Sequence, residues 1–356
     1  MSYLNSCGCV MSNWPRDEMS GNGGAQGSPQ GTAGLGRFDT SLLKTCVQKA
    51  IRRGFTADAQ AIARAIVRKG ESSSLRRRLG VVVAEDSGWQ KIWMLPLLQK
   101  EMTEEDILKL VAVASEGVHD KSCEPLMGRS RRINSKEGPA DLSRFEEALI
   151  VGNVSYAARV IVQELDPRES GTGKSPIWKV MTQVAQDIRR DVPDLVEVVQ
   201  AVKRRNGAGL LTNDRSLLTI ATAQALTGKT YDDSPKEGWL MQDNWKQIQP
   251  QPSTMQNLAE YWWAMDPHSW VGKIVGAILA KKNKVESVEY LNWCQFCVCS
   301  GVVNPARDHA YLEDWAFQIQ EKFPGQTLAT MTAKWNEIRD DVRGCTIWLL
   351  RKRGLL

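Results

Sequence analysis

Four groups of residues in this 356-residue chain have the types and spacing for chemistry. Glu85-Asp86 pairs two carboxylates, the raw material of general acid–base work. Adjacent helical positions point about 100° apart, so the two cannot easily share one substrate atom. Their expected role is local: pairing with arginines such as Arg77 or Arg78, or capping a helix near Ser87-Gly88. Ser170-Gly171-Thr172-Gly173-Lys174-Ser175 imitates a phosphate loop. The first glycine of a Walker A loop would fall at Arg168, and Pro176 stands where the following helix should cradle phosphate, so no nucleotide site is expected.

Cys294, Cys297 and Cys299 suggest zinc, which needs ligands converging on a tetrahedron. On one helix Cys299 points about 140° from Cys294 and about 200° from Cys297, so the expectation is buried core thiols and no metal. His119, His268 and His309 have no neighbouring partner motif and read as structural or solvent-facing. No catalytic constellation emerges, no cofactor is expected, and the chain is read as not an enzyme.

Basic groups recur at Arg76-Arg77-Arg78, Arg129-Ser130-Arg131-Arg132, Arg189-Arg190, Lys203-Arg204-Arg205 and Arg351-Lys352-Arg353. Arg129, Arg131, Arg132, Lys203, Arg204, Arg205, Arg351, Lys352 and Arg353 are the candidate nucleic-acid contacts, if the fold gathers them on one side. The net charge of +5 permits such contact without requiring it. Nine of the thirteen tryptophans lie beyond residue 230, where they could stack on bases; at helical spacing the simpler role is core.

The elements that must position these residues are helices. Ala59, Ile62, Ala63, Ile66 and Val67 make one apolar helix face, and Val154, Ala157, Ala158, Ile161, Val162 and Leu165 make another. Val81-Val82-Val83 is the clearest β-branched run, and its helical neighbours argue against a strand. The fold class is all-α, built of two or three stacked helical repeats. Ala50-Ile51-Arg52-Arg53-Gly54 and Ala148-Leu149-Ile150-Val151-Gly152 begin two copies of one pattern, about a hundred residues apart. The second copy has a loop three residues longer, and the false phosphate loop is that loop. Gly54 and Gly152 each follow a short helix, where a left-handed turn favours glycine. Ala277-Ile278-Leu279-Ala280, followed by a polar turn, is a candidate third start.

Composition divides the chain further. Residues 1–38 read as a disordered Gly/Ser-rich tail, 39–116 as repeat 1, 117–140 as a basic linker and 141–228 as repeat 2. Residues 229–256 read as a second linker and 257–356 as a Trp-rich helical domain. No stretch approaches the roughly 18 apolar residues of a membrane helix, and no charged leader precedes an apolar segment. Eight scattered cysteines suit a reducing interior, so a cytoplasmic location away from membranes is expected.

Arg77-Arg78-Leu79, an aliphatic run, then Glu85-Asp86 and Gly88 resembles the Arg-Arg-Leu…Ser-Glu-Asp-x-Gly signature of the replication-associated recombination ATPases of the MgsA/RarA type. These are related to the Werner-helicase-interacting ATPase. The family's preceding helix ends on an Ile-Arg-Gly-like segment, matched here by Ile51-Arg52-Arg53-Gly54 with one extra arginine. Ala84 replaces the family's Ser, and Ser87 an aliphatic residue. The resemblance covers roughly residues 39–115. It implies a relative of the family's C-terminal collar, which holds ATPase subunits in a ring-like oligomer, without the ATPase module. A non-catalytic assembly or adaptor protein follows, either a homo-oligomer or a partner of an ATPase or replication complex, with Arg77, Arg78, Glu85, Asp86 and Gly88 as signature contacts and DNA as a further partner. The alternative is a nucleic-acid-binding structural protein such as a viral or phage nucleoprotein.

Overall fold

The computed structural model describes residues 34–87, 91–116, 123–138, 140–164, 176–187, 195–207, 245–253, 255, 257–299 and 309–356. The regular elements are helical, and no strand occurs among the described residues. The all-α expectation therefore holds, and Val81-Val82-Val83 is helical.

The first block starts earlier than its composition indicates. Leu35–Arg37 forms a 3-10 turn, and Leu35 and Phe38 are completely buried. Residues 34–38 thus leave the expected tail and join the core; residues 1–33 lie outside the described residues. The reason is local capping. Asp39 caps helix α1 (Thr40–Arg52) by accepting from the Leu42 N–H at 3.0 Å. Phe38 before that cap and Leu43 at the fourth helical position have the spacing of a hydrophobic staple.

Helix α1 ends on Gly54 at φ +68°, and the Phe55 N–H returns to the Ala50 carbonyl at 2.9 Å. Helices α2 (Thr56–Arg68) and α3 (Ser72–Val82) follow, then a π-helical turn, Val83–Ser87. Short α4 (Met94–Leu97) and α5 (Glu104–Ser115) complete the block. Ala59, Ile62, Ala63 and Ile66 are buried as their spacing demands, each large side chain contributing about 1.5–3 kcal/mol.

After α6 (Cys123–Glu137), the second block opens on the same kind of corner as the first. Helix α7 (Phe145–Ile150) closes on Gly152 at φ +72°, with the Asn153 N–H returning to the Ala148 carbonyl at 2.7 Å. Helices α8 (Val154–Glu164), α9 (Pro176–Asp187) and α10 (Leu195–Gly207) follow. The C-terminal block uses the same corner with another residue. Its α11 (Trp270–Lys281) closes on Asn283 at φ +55°, and the Lys284 N–H returns to the Leu279 carbonyl at 2.9 Å. A left-handed residue costs most side chains about 1–2 kcal/mol, which glycine escapes and asparagine tolerates. Helices α12 (Val288–Cys299), α13 (His309–Lys322) and α14 (Leu328–Lys352) complete the described chain.

Both expected linkers prove to be partly packed structure. The first contains α6: Pro125 falls in its first turn, where no backbone donor is needed, and the helix lies against α8 and α13. Of the second, Gln251 donates its N–H to Gln60 Oε1 (2.7 Å), and the Ser253 hydroxyl donates to Asp58 Oδ1 (3.0 Å). Tyr261 reaches the other oxygen of Asp58 at 3.0 Å, so this stretch is fastened along α2. The second block meets the first where Gln99, just beyond α4, donates to the Ala201 carbonyl of α10 at 2.8 Å.

Tryptophan serves mainly as core. Trp245, Trp262, Trp263, Trp293, Trp315 and Trp335 are buried, with the Trp262 and Trp335 rings stacked at 6.1 Å. Trp270 is half-buried, and Trp348, 52% exposed, is the most exposed of the described tryptophans. No helix among the described residues is long and apolar enough to cross a membrane.

Candidate functional site

The last turns of α1 carry Gln48, Lys49, Arg52 and Arg53. Gln48 and Arg52 stand one turn apart on one face, and Lys49 and Arg53 one turn apart on the next. Gln48, Lys49 and Arg52 are all buried, which polar side chains tolerate only with partners. The two faces reach in different directions.

The Gln48/Arg52 face meets the Glu85-Asp86 turn. Arg52 Nε donates to Asp86 Oδ1 at 2.5 Å, the side chains being 7% and 1% exposed. The Gln48 amide donates to Asp86 Oδ2 at 3.1 Å and to Glu85 Oε2 at 3.2 Å. Arg78 donates to Gln48 Oε1 at 3.0 Å. Here the sequence reading needs correction. The two carboxylates do share a partner, because residues 83–87 wind as a wider π turn, and that partner is an amide from α1. Asp86 takes Arg52 instead of Arg77 or Arg78; Arg77 is exposed, while Arg78 bonds Gln48 and its charge also favours the ionised Glu85. Gly88 lies outside the described residues. Burial pushes the Glu85 carboxyl above the usual carboxylate range, with the neighbouring Asp86 charge adding to it. Asp86, completely buried, spends its lone pairs within the fold.

The Lys49/Arg53 face meets the C-terminal block. Lys49 pairs with Asp266 at 3.0 Å, both buried. Burial pushes the Asp266 carboxyl up, but the Lys49 charge and a hydrogen bond from His268 outweigh it and hold it well below the usual range. The mostly exposed His268 is in turn raised by its hydrogen bond to Asp266. Arg53 donates to the Val298 carbonyl of α12 and lies 5.5 Å from the Trp263 ring centre. At the opposite, N-terminal end of α1, Trp270 donates to the capping Asp39 at 2.8 Å. The end of α1 is thus a keystone between the Glu85-Asp86 turn and the C-terminal block. The Ile51-Arg52-Arg53-Gly54 segment and the Glu85-Asp86 turn, noticed in the sequence for their order and separation, are joined by direct contact. Lys49 and Asp266 carried no sequence signal, since their contact spans more than 200 positions.

The second copy differs at the same corner. Ile150 and Val151 occupy the places of Arg52 and Arg53, and each is 55% exposed.

Of the candidate nucleic-acid residues that are described, two are tied up in ion pairs within the fold. Arg129 pairs with Glu313 (3.1 Å), and Arg132 pairs with the buried Asp314 (2.5 Å) while stacking on Phe317. These ties fasten α6 to α13, while Arg131 is exposed. Lys203, Arg204 and Arg205 fall in the last turns of α10, their side chains outside the described residues, as is Arg189-Arg190. Arg351, Lys352 and Arg353 are exposed at the end of α14. The false phosphate loop at 170–175 and His119 also lie outside the described residues. Cys294 is buried against Met331 Sδ (3.5 Å), and burial pushes its thiol up to about 12; burial raises Cys46 as well. Among the described residues no cluster of His, Cys, Asp and Glu has metal-binding geometry.

No family model, no curated protein and no solved structure matches this chain.

Proposed function

We propose that this chain is a non-catalytic helical assembly protein, related to the collar of the replication-associated recombination ATPases, that associates with further copies of itself. One observation carries the reading: the contrast between its two equivalent corners. In the first copy, Arg52 and Arg53 are engaged with Asp86 and the C-terminal block. In the second, Ile150 and Val151 stand exposed at the same two places. Exposed Arg144, Glu146 and Glu147 surround them with charges of both signs, so the patch is complementary to its own copy about a two-fold axis. Two side chains fall well short of the roughly 800 Å² per partner of a standard interface, so they act as its apolar anchor.

The signature residues support the same reading from inside the molecule. Glu85 and Asp86 hold α1 in place and so fix the shape of the first block. Light scattering on eluting protein at tens of micromolar tests the proposal. The expected mass is a whole multiple of the 39.7 kDa chain, falling to the single-chain value in Ile150→Glu/Val151→Glu. A single-chain mass at every concentration, or an oligomer indifferent to that variant, overturns it. A single chain that gains mass only with an ATPase or replication complex would move the role to that partner.

A further inference from the structure

Helix α14 presents Asp340, Arg343, Gly344, Ile347, Trp348 and Arg351 along one shallow outward face. Its spacing of three and four residues is that of a single helical stripe. Buried Trp335, Ile338, Val342, Leu349 and Leu350 already fasten the helix to its own block, so this outer face is surplus to the core. At its centre Trp348 is 52% exposed, although each of the other tryptophans described in this block is at least half-covered. Lys352 Nζ lies 5.0 Å from the Trp348 ring centre, and Arg353 lies 5.6 Å from that of Trp270.

The surroundings are cationic. Beyond Asp341 the chain carries Arg343, Arg351, Lys352 and Arg353 and no Asp or Glu, and all four are exposed. Helix α11 runs antiparallel alongside: its first residue, Trp270, meets Arg353, and Lys284, just past its end, pairs with Asp341 at 3.2 Å. That arrangement adds exposed Lys281 and Lys282 at the other end of the strip. Asp340 is the one carboxylate on the face, and Arg339 stands 3.9 Å from it. The thirteen residues from Asp341 to Arg353 span about 18 Å, twelve steps of about 1.5 Å.

We propose that this strip binds single-stranded nucleic acid, one base stacking on Trp348 while Arg343, Arg351 and Lys352 contact the flanking phosphates. An aromatic face within a cationic track is the arrangement that grips single strands without reading their sequence. A second copy of this chain would want charges of both signs around the tryptophan, whereas the exposed charges here are predominantly cationic, which is the complementarity expected of a polyanion.

The test is fluorescence anisotropy with labelled dT12 and rU12 at 50 and 200 mM salt. Wild type, Trp348→Phe, Trp348→Ala and Arg351→Ala/Lys352→Ala are compared, with far-UV circular dichroism confirming the fold of each. With about three phosphates neutralised, affinity should fall about 20-fold between the two salts, at about 0.7 per phosphate for single strands. Trp348→Ala should weaken binding about tenfold and Trp348→Phe much less, the range found for losing one stacked base. Arg351→Ala/Lys352→Ala should flatten the salt dependence. Equal loss for both oligonucleotides marks a backbone reader, and unequal loss assigns DNA or RNA. Absence of binding at 50 mM salt overturns the proposal. So does binding that ignores all three variants, or competition by polyglutamate or anionic vesicles that Trp348→Ala leaves unchanged.

Discussion

Replacing Asp266 by alanine should unfasten the C-terminal block from α1. Lys49 and Asp266 are buried, with side chains 7% and 8% exposed at 3.0 Å. Truncating one partner leaves the other charge buried alone, which costs about 3–5 kcal/mol. With an unfolding entropy of about 2.1 cal/mol/K per residue across the 356-residue chain, that lowers Tm by about 4–7 °C. Lys49→Met in the Asp266→Ala background should recover much of the loss, because the stranded charge goes with it. The pH dependence has a definite sign. Asp266 titrates below its unfolded value, so its contribution is complete above about pH 4 and fades as the pH falls further. Differential scanning calorimetry of wild type and Asp266→Ala from pH 3 to 8 should therefore show a gap that is constant above about pH 5 and narrows toward pH 3. A gap under about 1 kcal/mol at pH 7, or one independent of pH, would mean that Lys49 and Asp266 do not act as a buried ion pair.

Glu85 offers the opposite sign. Its carboxyl is raised, so ionising it works against the fold, and stability is lost as the pH rises through the unfolded value toward the folded one. Glu85→Gln should be more stable than wild type at pH 7 and lose that advantage below about pH 4, as urea titrations at both pH values will show. Two glycines should respond in opposite directions to alanine. A Cβ on Gly272 would lie 2.1 Å from the Asp266 carbonyl oxygen, so Gly272→Ala should cost about 1–3 kcal/mol or more. Gly344, with nothing within 4 Å in α14, should gain about 0.5–1 kcal/mol in Gly344→Ala; the melting temperatures check both.

The sequence disclosed what short-range physics controls. The apolar spacing of α2 and α8 marked faces that are buried at Ala59, Ile62, Ala63, Ile66, Val154, Ala157, Ala158 and Ile161, while Val67 and Val162 are half-buried and Leu165 lies outside the described residues. Gly54 and Gly152 read correctly as helix-ending turns. Composition misled where a few apolar residues outweigh many polar ones: Leu35 and Phe38 are core within a polar run, and α6 forms despite Pro125 and Gly128. Gly128 sits where α6 approaches α13, with Asp314 Oδ1 3.1 Å from the Cβ it lacks, a reason for glycine invisible without the fold. The candidate site was legible only in halves. Both ends of the Arg52–Asp86 contact stood out as a spaced motif, but the expected partners were the nearest arginines in sequence. The π turn and the long-range placing of α1 chose Arg52 instead. Trp348 could not be told from its buried neighbours by periodicity, since exposure depends on which face of α14 the other helices cover.

The first block is held in shape by the Ile-Arg-Arg-Gly end and the Glu-Asp turn acting on each other inside the molecule. A double-mutant cycle of Arg52→Met and Asp86→Ala, read by guanidinium denaturation with the exposed Arg77→Ala as control, measures that directly. The predicted result is a coupling of about 2 kcal/mol or more between Arg52 and Asp86, with Arg77→Ala within about 0.5 kcal/mol of wild type. Additive losses, or a cost at Arg77 equal to that at Arg52, would contradict it.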